Sequence, residues 1–248
     1  MLCKLCLQDK PLLKESHIIP DFMYQGLFDQ AHSLYKINLE NFKQTKKLYN
    51  GEYEPNLLCA DCDNNIIGGY ENYASVVLYG DRLSRGENIF FENRKNVHGV
   101  IFTYCQGIDY LKFKLFLLSI LWRASISTRK FFENVNLGPY EDKIRAMILN
   151  GNPGEPLDFP CFLSTYKNLQ DLPDEVIGQP KKYRTENILG YTFFIGGFVY
   201  IYLISKIKKP DWLSEVAIKK NNEMSIAHMN REQAKNLINH FAQIDLIK

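Results

Sequence analysis

The sequence predicts an α+β protein in two parts: a small cysteine-stapled module over residues 1–80 and a helical α+β domain over residues 81–248. Three observations predict it. Four of the six cysteines fall in two CxxC pairs before residue 63. The run from Tyr110 to Phe132 is apolar on most helical faces, as a centrally buried helix must be. YTFFIGGFVYIYLIS, which starts at Tyr191, sets β-branched and aromatic residues on either side of a Gly-Gly pair.

Each element has a local reason. A helix is expected from about Asp63 to Tyr79, closing the cysteine module. Residues 80–107 are expected as a connector holding two strands, Asn88–Phe91 and Gly99–Tyr104. After the central helix, Pro139 suits a first helical position, Glu141 and Asp142 favour its N-terminal dipole, and Asn150-Gly151 stops it. A strand is expected near Cys161–Tyr166, then a loose proline-containing stretch. Next comes a hairpin whose turn, Gly196-Gly197, needs positive φ. A last helix begins at Asn230, where Gln233 completes a capping box; Ala234, Leu237, Ile238, Phe241 and Ala242 share its apolar face.

Composition narrows the function classes. With 46% apolar and 13% aromatic residues the chain can bury a core along its whole length, and no segment is charged enough to stay disordered. Net charge is +2, with eleven basic against thirteen acidic residues up to residue 100 and nineteen against fifteen beyond. Any phosphate contact must therefore come from local patches: Lys43, Lys46 and Lys47; Lys181, Lys182 and Arg184; or Lys206, Lys208 and Lys209. Solvated loops are the alternative for each patch. MLCKLCLQDK lacks the apolar core of a signal peptide, and charges or glycines interrupt both long apolar runs, so a cytoplasmic protein with no membrane partner is expected.

Cys3-x-x-Cys6 and Cys59-x-x-Cys62 carry the clearest chemistry. In a reducing compartment two such pairs point to one tetrahedral Zn²⁺ held by four thiolates. The two-residue spacing lets both sulfurs of a turn reach the ion at about 2.3 Å. Redox-active or unrelated pairs are the alternative. Such a site is closed and therefore structural, so chemistry must lie elsewhere. Cys105 and Cys161 have no partner at ligand spacing and are expected to be buried.

Between the pairs stands KESHIIPDF, residues 14–22. His17 is either a satisfied core residue or a cleft histidine. The order SHIIP, then Asn56-Leu57-Leu58-Cys59-x-x-Cys62-Asp63, then Tyr70-Glu71, resembles the HNH endonuclease family over residues 1–75, in its zinc-knuckle branch. Ser119 to Arg123, SILWR, is similar to a helix found in the same branch. The resemblance implies a zinc-stabilised ββα-metal module and metal-dependent hydrolysis of DNA phosphodiester bonds, with a role in bacterial defence against phage. It places His17 as general base, Asn56 at the middle Asn and Asp63 at the final His.

Three positions depart from the family pattern. Ser16 replaces a metal-binding Asp or His, Asn56 is two residues closer to its cysteine, and Asp63 replaces His. Asp63 and Glu71 supply carboxylate oxygens suited to Mg²⁺ or Mn²⁺. Eight residues apart on an α-helix they are about 80° out of register, so a bend is needed, for instance at Gly68-Gly69. Asp63 also suits a helix cap, Asn56 a turn into the knuckle, and Glu71 a partner for Arg82 or Arg85. The expected partner is DNA, with a partner protein or a second copy left open. The C-terminal part is expected to recognise substrate or regulate, leaving the zinc module soluble by itself. The competing function is a module that kept the fold, lost the catalytic ion and binds nucleic acid or protein as an adaptor. No GxSxG, phosphate loop or HExxH supports another enzyme class.

Overall fold

The computed structural model describes residues 1–25, 34–37, 46–48, 53–80, 86, 88–167, 169, 176–184, 188–204 and 213–236. Strand β1 (Ser16–His17) and helix α1 (Phe22–Gln25) are followed by β2 (Leu34–Ile37), β3 (Lys46–Leu48) and β4 (Tyr53–Glu54). The expected helix after the second CxxC is present but wound in two ways: a π-helical stretch, Asp61–Ile67, runs into α2 (Gly68–Tyr79). Then come β5 (Phe90–Lys95), β6 (Ile101–Gln106), α3 (Tyr110–Ile126), α4 (Glu141–Leu149), β7 (Cys161–Thr165), β8 (Val176–Arg184), β9 (Leu189–Ile195) and β10 (Phe198–Leu203). Helix α5 (Leu213–Val216) and β11 (Glu223–His228) precede the helix that starts at residue 231.

These strands form two sheets. One is the two-stranded pair β1-β4; the other has nine strands in the order β3-β2-β8-β9-β10-β7-β11-β6-β5. Neighbours are antiparallel except β2 with β8 and β7 with β11. Directly opposed residues share a face. Leu163, Tyr200, Ile226, Met224 and Cys105 thus point to one side, where they join a core cluster with Phe113, Phe116, Leu117 and Ile120 of α3. Val199 and Phe194 point to the other, under Ala234 of the last helix. Its expected capping box forms: Gln233 N–H donates to Asn230 Oδ1 at 2.8 Å and Asn230 N–H to Gln233 Oε1 at 2.9 Å. Leu237, Ile238, Phe241 and Ala242 lie outside the described residues.

Helix α3 is the axis of the molecule. Asp109 starts it by accepting from Lys112 N–H at 3.0 Å, and every residue from Phe113 to Ala124 is buried, Lys114 and Arg123 included. Burying each large apolar side chain there contributes roughly 1.5–3 kcal/mol. The helix ends at Ile126 rather than Phe132, because Ser127 and Thr128 turn outward to hold Glu54, as described below. Phe132 falls in the short 3₁₀ turn Lys130–Phe132.

Several expectations shift. Residues 80–107 are more than a connector, since β5 and β6 form one edge of the large sheet. The stretch expected to be loose after β7 contains β8, a strand hidden by Pro180. The proline sits at a register shift between Gly178 and Lys181, where its missing N–H is tolerated. Gly196 and Gly197, at φ 58° and 76°, make the expected hairpin turn. Of the basic patches, Lys43, Lys206, Lys208 and Lys209 lie outside the described residues. Lys181 is 6% exposed and so does not belong to a solvated patch.

The division near residue 80 is crossed in two ways. Strand β2 pairs parallel with β8, Tyr35 opposite Val176, so the chain between β1 and β4 joins the large sheet. One core cluster runs from Cys3 to Ile226. Among the described residues no helix is long and apolar enough to cross a membrane.

Candidate functional site

The first knuckle is a tight turn: Leu7 N–H donates to the Cys3 carbonyl at 2.9 Å, Cys3 N–H to the Gln8 carbonyl at 3.0 Å, and Leu7 takes φ 58°. The second opens the helix, with Asp63 N–H on the Cys59 carbonyl at 3.0 Å. Bridges Leu2–Asp9 and Leu12–Cys59 and the Lys4 N–H to Leu57 carbonyl bond at 3.0 Å bring the two turns together. Arg145 of α4 clamps the first from outside, donating to the Leu5 carbonyl at 2.8 Å.

The sulfurs of Cys3, Cys6, Cys59 and Cys62 all lie within 4.8 Å of one another, and these four cysteines could hold a metal ion. Sulfurs at about 2.3 Å from one tetrahedral ion would be about 3.8 Å apart, so the cluster needs little closing. Burial alone would raise the Cys3 thiol, but backbone N–H groups of Cys6, Cys59 and Leu5 bring it down to about 7. Burial and neighbouring thiols push Cys62 up, and burial chiefly raises Cys59. Four crowded thiols of which one is already stabilised as thiolate are a donor set suited to a cation that displaces the remaining protons. Cys105 and Cys161 are buried apart from this cluster, as expected.

Beside the cysteines, β1 and β4 pair antiparallel, Ser16 opposite Glu54 and His17 opposite Tyr53, and the chain passes from β4 through the second knuckle into the helix. Ser16, Ile18 and Ile19 are fully buried, whereas the His17 side chain is 36% exposed. Its Nε2 lies 3.9 Å from Asp21 Oδ1, and its ring meets Tyr53 edge-on at 6.5 Å. The apolar neighbours of His17 thus anchor the strand and leave the imidazole partly exposed.

Asp63 and Glu71 converge, by a route other than a bend at the glycines. A π turn takes about 4.4 residues, so each residue advances about 80° instead of 100°. Over the residues from Asp63 to Ile67 the deficit amounts to roughly 80°, which cancels the offset expected of a continuous α-helix. Glu71 then meets Arg123, whose charge also reaches Asp63. Its Nη2 donates to Glu71 Oε1 at 2.6 Å and its Nη1 to the His17 carbonyl at 2.7 Å. Glu71 thus has its cationic partner on α3; Arg82 and Arg85 lie outside the described residues.

Burial raises the Asp63 pKa; Arg123 opposes this and Glu71 adds to it. Among the described residues, Asp63 Oδ1 and Ser16 Oγ are both buried without a hydrogen-bond partner. The Ser16 hydroxyl nonetheless favours the carboxylate. Asp63 is not the N-cap residue, since its helix begins at Asp61 after Ala60.

Asn56 is an exposed turn residue at φ 60°, with its N–H on the Leu13 carbonyl at 2.9 Å. Asn tolerates this left-handed conformation, and the turn leads the chain from β4 into the knuckle. Two groups escaped the sequence reasoning. Arg123 is 1% exposed, and its signal was a lone guanidinium in a run of buried apolar residues. Glu54 is 7% exposed, and its carboxylate accepts from Ser127 Oγ at 2.6 Å, Thr128 Oγ1 at 2.7 Å and Thr128 N–H at 3.0 and 3.1 Å. Its partners are more than seventy residues away, so no local pattern marks it. No family model, no curated protein and no solved structure matches this chain.

Proposed function

We propose that the chain is a metal-dependent nuclease of HNH type that hydrolyses DNA phosphodiester bonds. One observation carries the proposal: the partly exposed imidazole of His17 stands on a short antiparallel pair next to two buried oxygens, Asp63 Oδ1 and Ser16 Oγ, that have no hydrogen-bond partner among the described residues. A buried polar atom without a partner is costly, and two hard oxygens in one place fit Mg²⁺ or Mn²⁺. Such an ion, bound at Asp63, would stabilise charge on the scissile phosphate and the leaving oxygen. In this scheme His17 accepts a proton from water as the water oxygen attacks phosphorus, and the bond to the leaving oxygen breaks. The cysteine cluster takes Zn²⁺ as a structural ion, fixing the chain on both sides of the site. A role in defence against phage accords with a cytoplasmic nuclease of this type.

The adaptor alternative draws on Ser16 and on the engagement of Glu71 by Arg123. Cleavage assays of the full chain separate the two, with supercoiled, linear and single-stranded DNA and with RNA, in Mg²⁺ and in Mn²⁺. The wild type should cleave DNA. His17→Ala should lose at least about a hundredfold in rate, as removal of a general base does. Its melting temperature should hold, because a ring that opens to solvent leaves no enclosed cavity. A wild type inert with both ions, or a His17→Ala protein that cleaves normally, would count for the adaptor.

A further inference from the structure

Helix α3 is expected from its sequence only to fill the core, yet it reaches the candidate site through one side chain. Arg123 has every nitrogen engaged: Nε on the Ser119 carbonyl at 3.3 Å, Nη1 on the His17 carbonyl at 2.7 Å, and Nη2 on Glu71 Oε1 at 2.6 Å and Ser119 Oγ at 3.4 Å. Its side chain is 2% exposed and that of Glu71 21%. We infer that Arg123 and Glu71 form a positioning pair: Glu71 serves to hold the guanidinium that fixes His17, and the divalent ion is bound from the Asp63 side without it. The part of the inference concerning the ion rests on the hydrolytic function proposed above.

Two physical points lead there. Strand β1 has two residues, too few for its ladder to fix a side chain within a fraction of an ångström. The Arg123 bond to the His17 carbonyl ties that strand to a helix buried along its length, so the imidazole inherits the rigidity of the core. Moving Glu71 onto an ion would take from a fully buried guanidinium the one carboxylate that is hydrogen-bonded to it among the described residues, which is strongly unfavourable. Glu71 can therefore serve the ion or the arginine, and the geometry gives it to the arginine.

The test uses the full chain and the charge-conserving double variant Glu71→Gln with Arg123→Met, which removes both members of the pair. Binding of Mn²⁺ is followed by electron paramagnetic resonance of the free ion, and the His17 ring by ¹⁵N-labelled histidine spectra of protein without added divalent ion. The double variant should bind Mn²⁺ within about threefold of wild type, while Asp63→Asn should weaken it more than about tenfold. The His17 resonance should move and broaden in the double variant. If the double variant loses Mn²⁺ as Asp63→Asn does, Glu71 is a ligand and the inference is overturned. A His17 resonance that stays in place overturns the positioning role. Should the wild type bind no Mn²⁺, the hydrolytic function fails, and the resonance still decides what Arg123 does. If the double variant shows no cooperative melt, Glu71→Ala alone, which removes the acceptor of Nη2, takes its place in both measurements with the same expected and overturning results.

Discussion

Replacing Glu54 by Ala removes the acceptor that ties β4 to the turn after α3. Glu54 is 7% exposed, and its carboxylate takes hydrogen bonds from three groups: Ser127 Oγ at 2.6 Å, Thr128 Oγ1 at 2.7 Å and Thr128 N–H at 3.0 and 3.1 Å. Hydrogen bonds to a charged acceptor are worth about 1.5–3 kcal/mol each, so the gross loss is roughly 4–9 kcal/mol. Two of the donors are hydroxyls that can rotate to other acceptors. The Thr128 N–H cannot, and its orphaning alone costs about 1–3 kcal/mol. A net loss of roughly 3–4 kcal/mol follows, and at about 2–4 °C per kcal/mol for a chain of this size the melting temperature should fall by about 6–16 °C. Glu54→Gln keeps the shape and one acceptor, and should lose about half as much. Urea denaturation followed by circular dichroism, with the metal content of each variant checked, measures both. A Glu54→Ala protein within about 1 kcal/mol of wild type would refute the idea that this carboxylate joins the cysteine module to α3.

Two further outcomes follow from the same contacts. Cys59→Ser should lose the metal at the cysteine cluster and melt markedly earlier, since that site contributes folding energy directly; elemental analysis showing no zinc in freshly purified wild type, or a fully stable variant, would contradict it. Residues 1–80 made alone should be protease-sensitive, in contrast to the soluble module expected from the sequence. They would lack Arg123 for Glu71, Ser127 and Thr128 for Glu54, and β8 as the neighbour of β2. A protease-resistant fragment with a cooperative melt would sink that expectation.

Legibility followed the range of the interactions involved. The cysteine pairs were plain because CxxC is a two-residue rule that needs no distant partner, and the two turns do bring their sulfurs together. The capping box at Asn230 and the Gly196-Gly197 turn were plain for the same reason, being settled within four residues. Strand β8 was hidden because a proline argues locally against a strand, and only its neighbours β2 and β9 supply the pairing that tolerates a bulge. The end of α3 was set too far along because helix propensity continues past Ile126, while Ser127 and Thr128 answer to a carboxylate on another strand.

At the candidate site the same division holds. By itself the sequence determined the residue types: four thiols at ligand spacing, a histidine flanked by apolar anchors, and carboxylates on the helix that follows. Tertiary structure decided what each can do. It underwound the start of the helix so that Asp63 and Glu71 share a face, and it left the His17 ring at the surface while burying its neighbours. It also delivered Arg123 from α3 to occupy Glu71 and grip the His17 carbonyl. The physical reason is that helical winding and the partner of a buried charge are set by packing between segments far apart in the chain, where a guanidinium must find a counter-charge or stay out of the core.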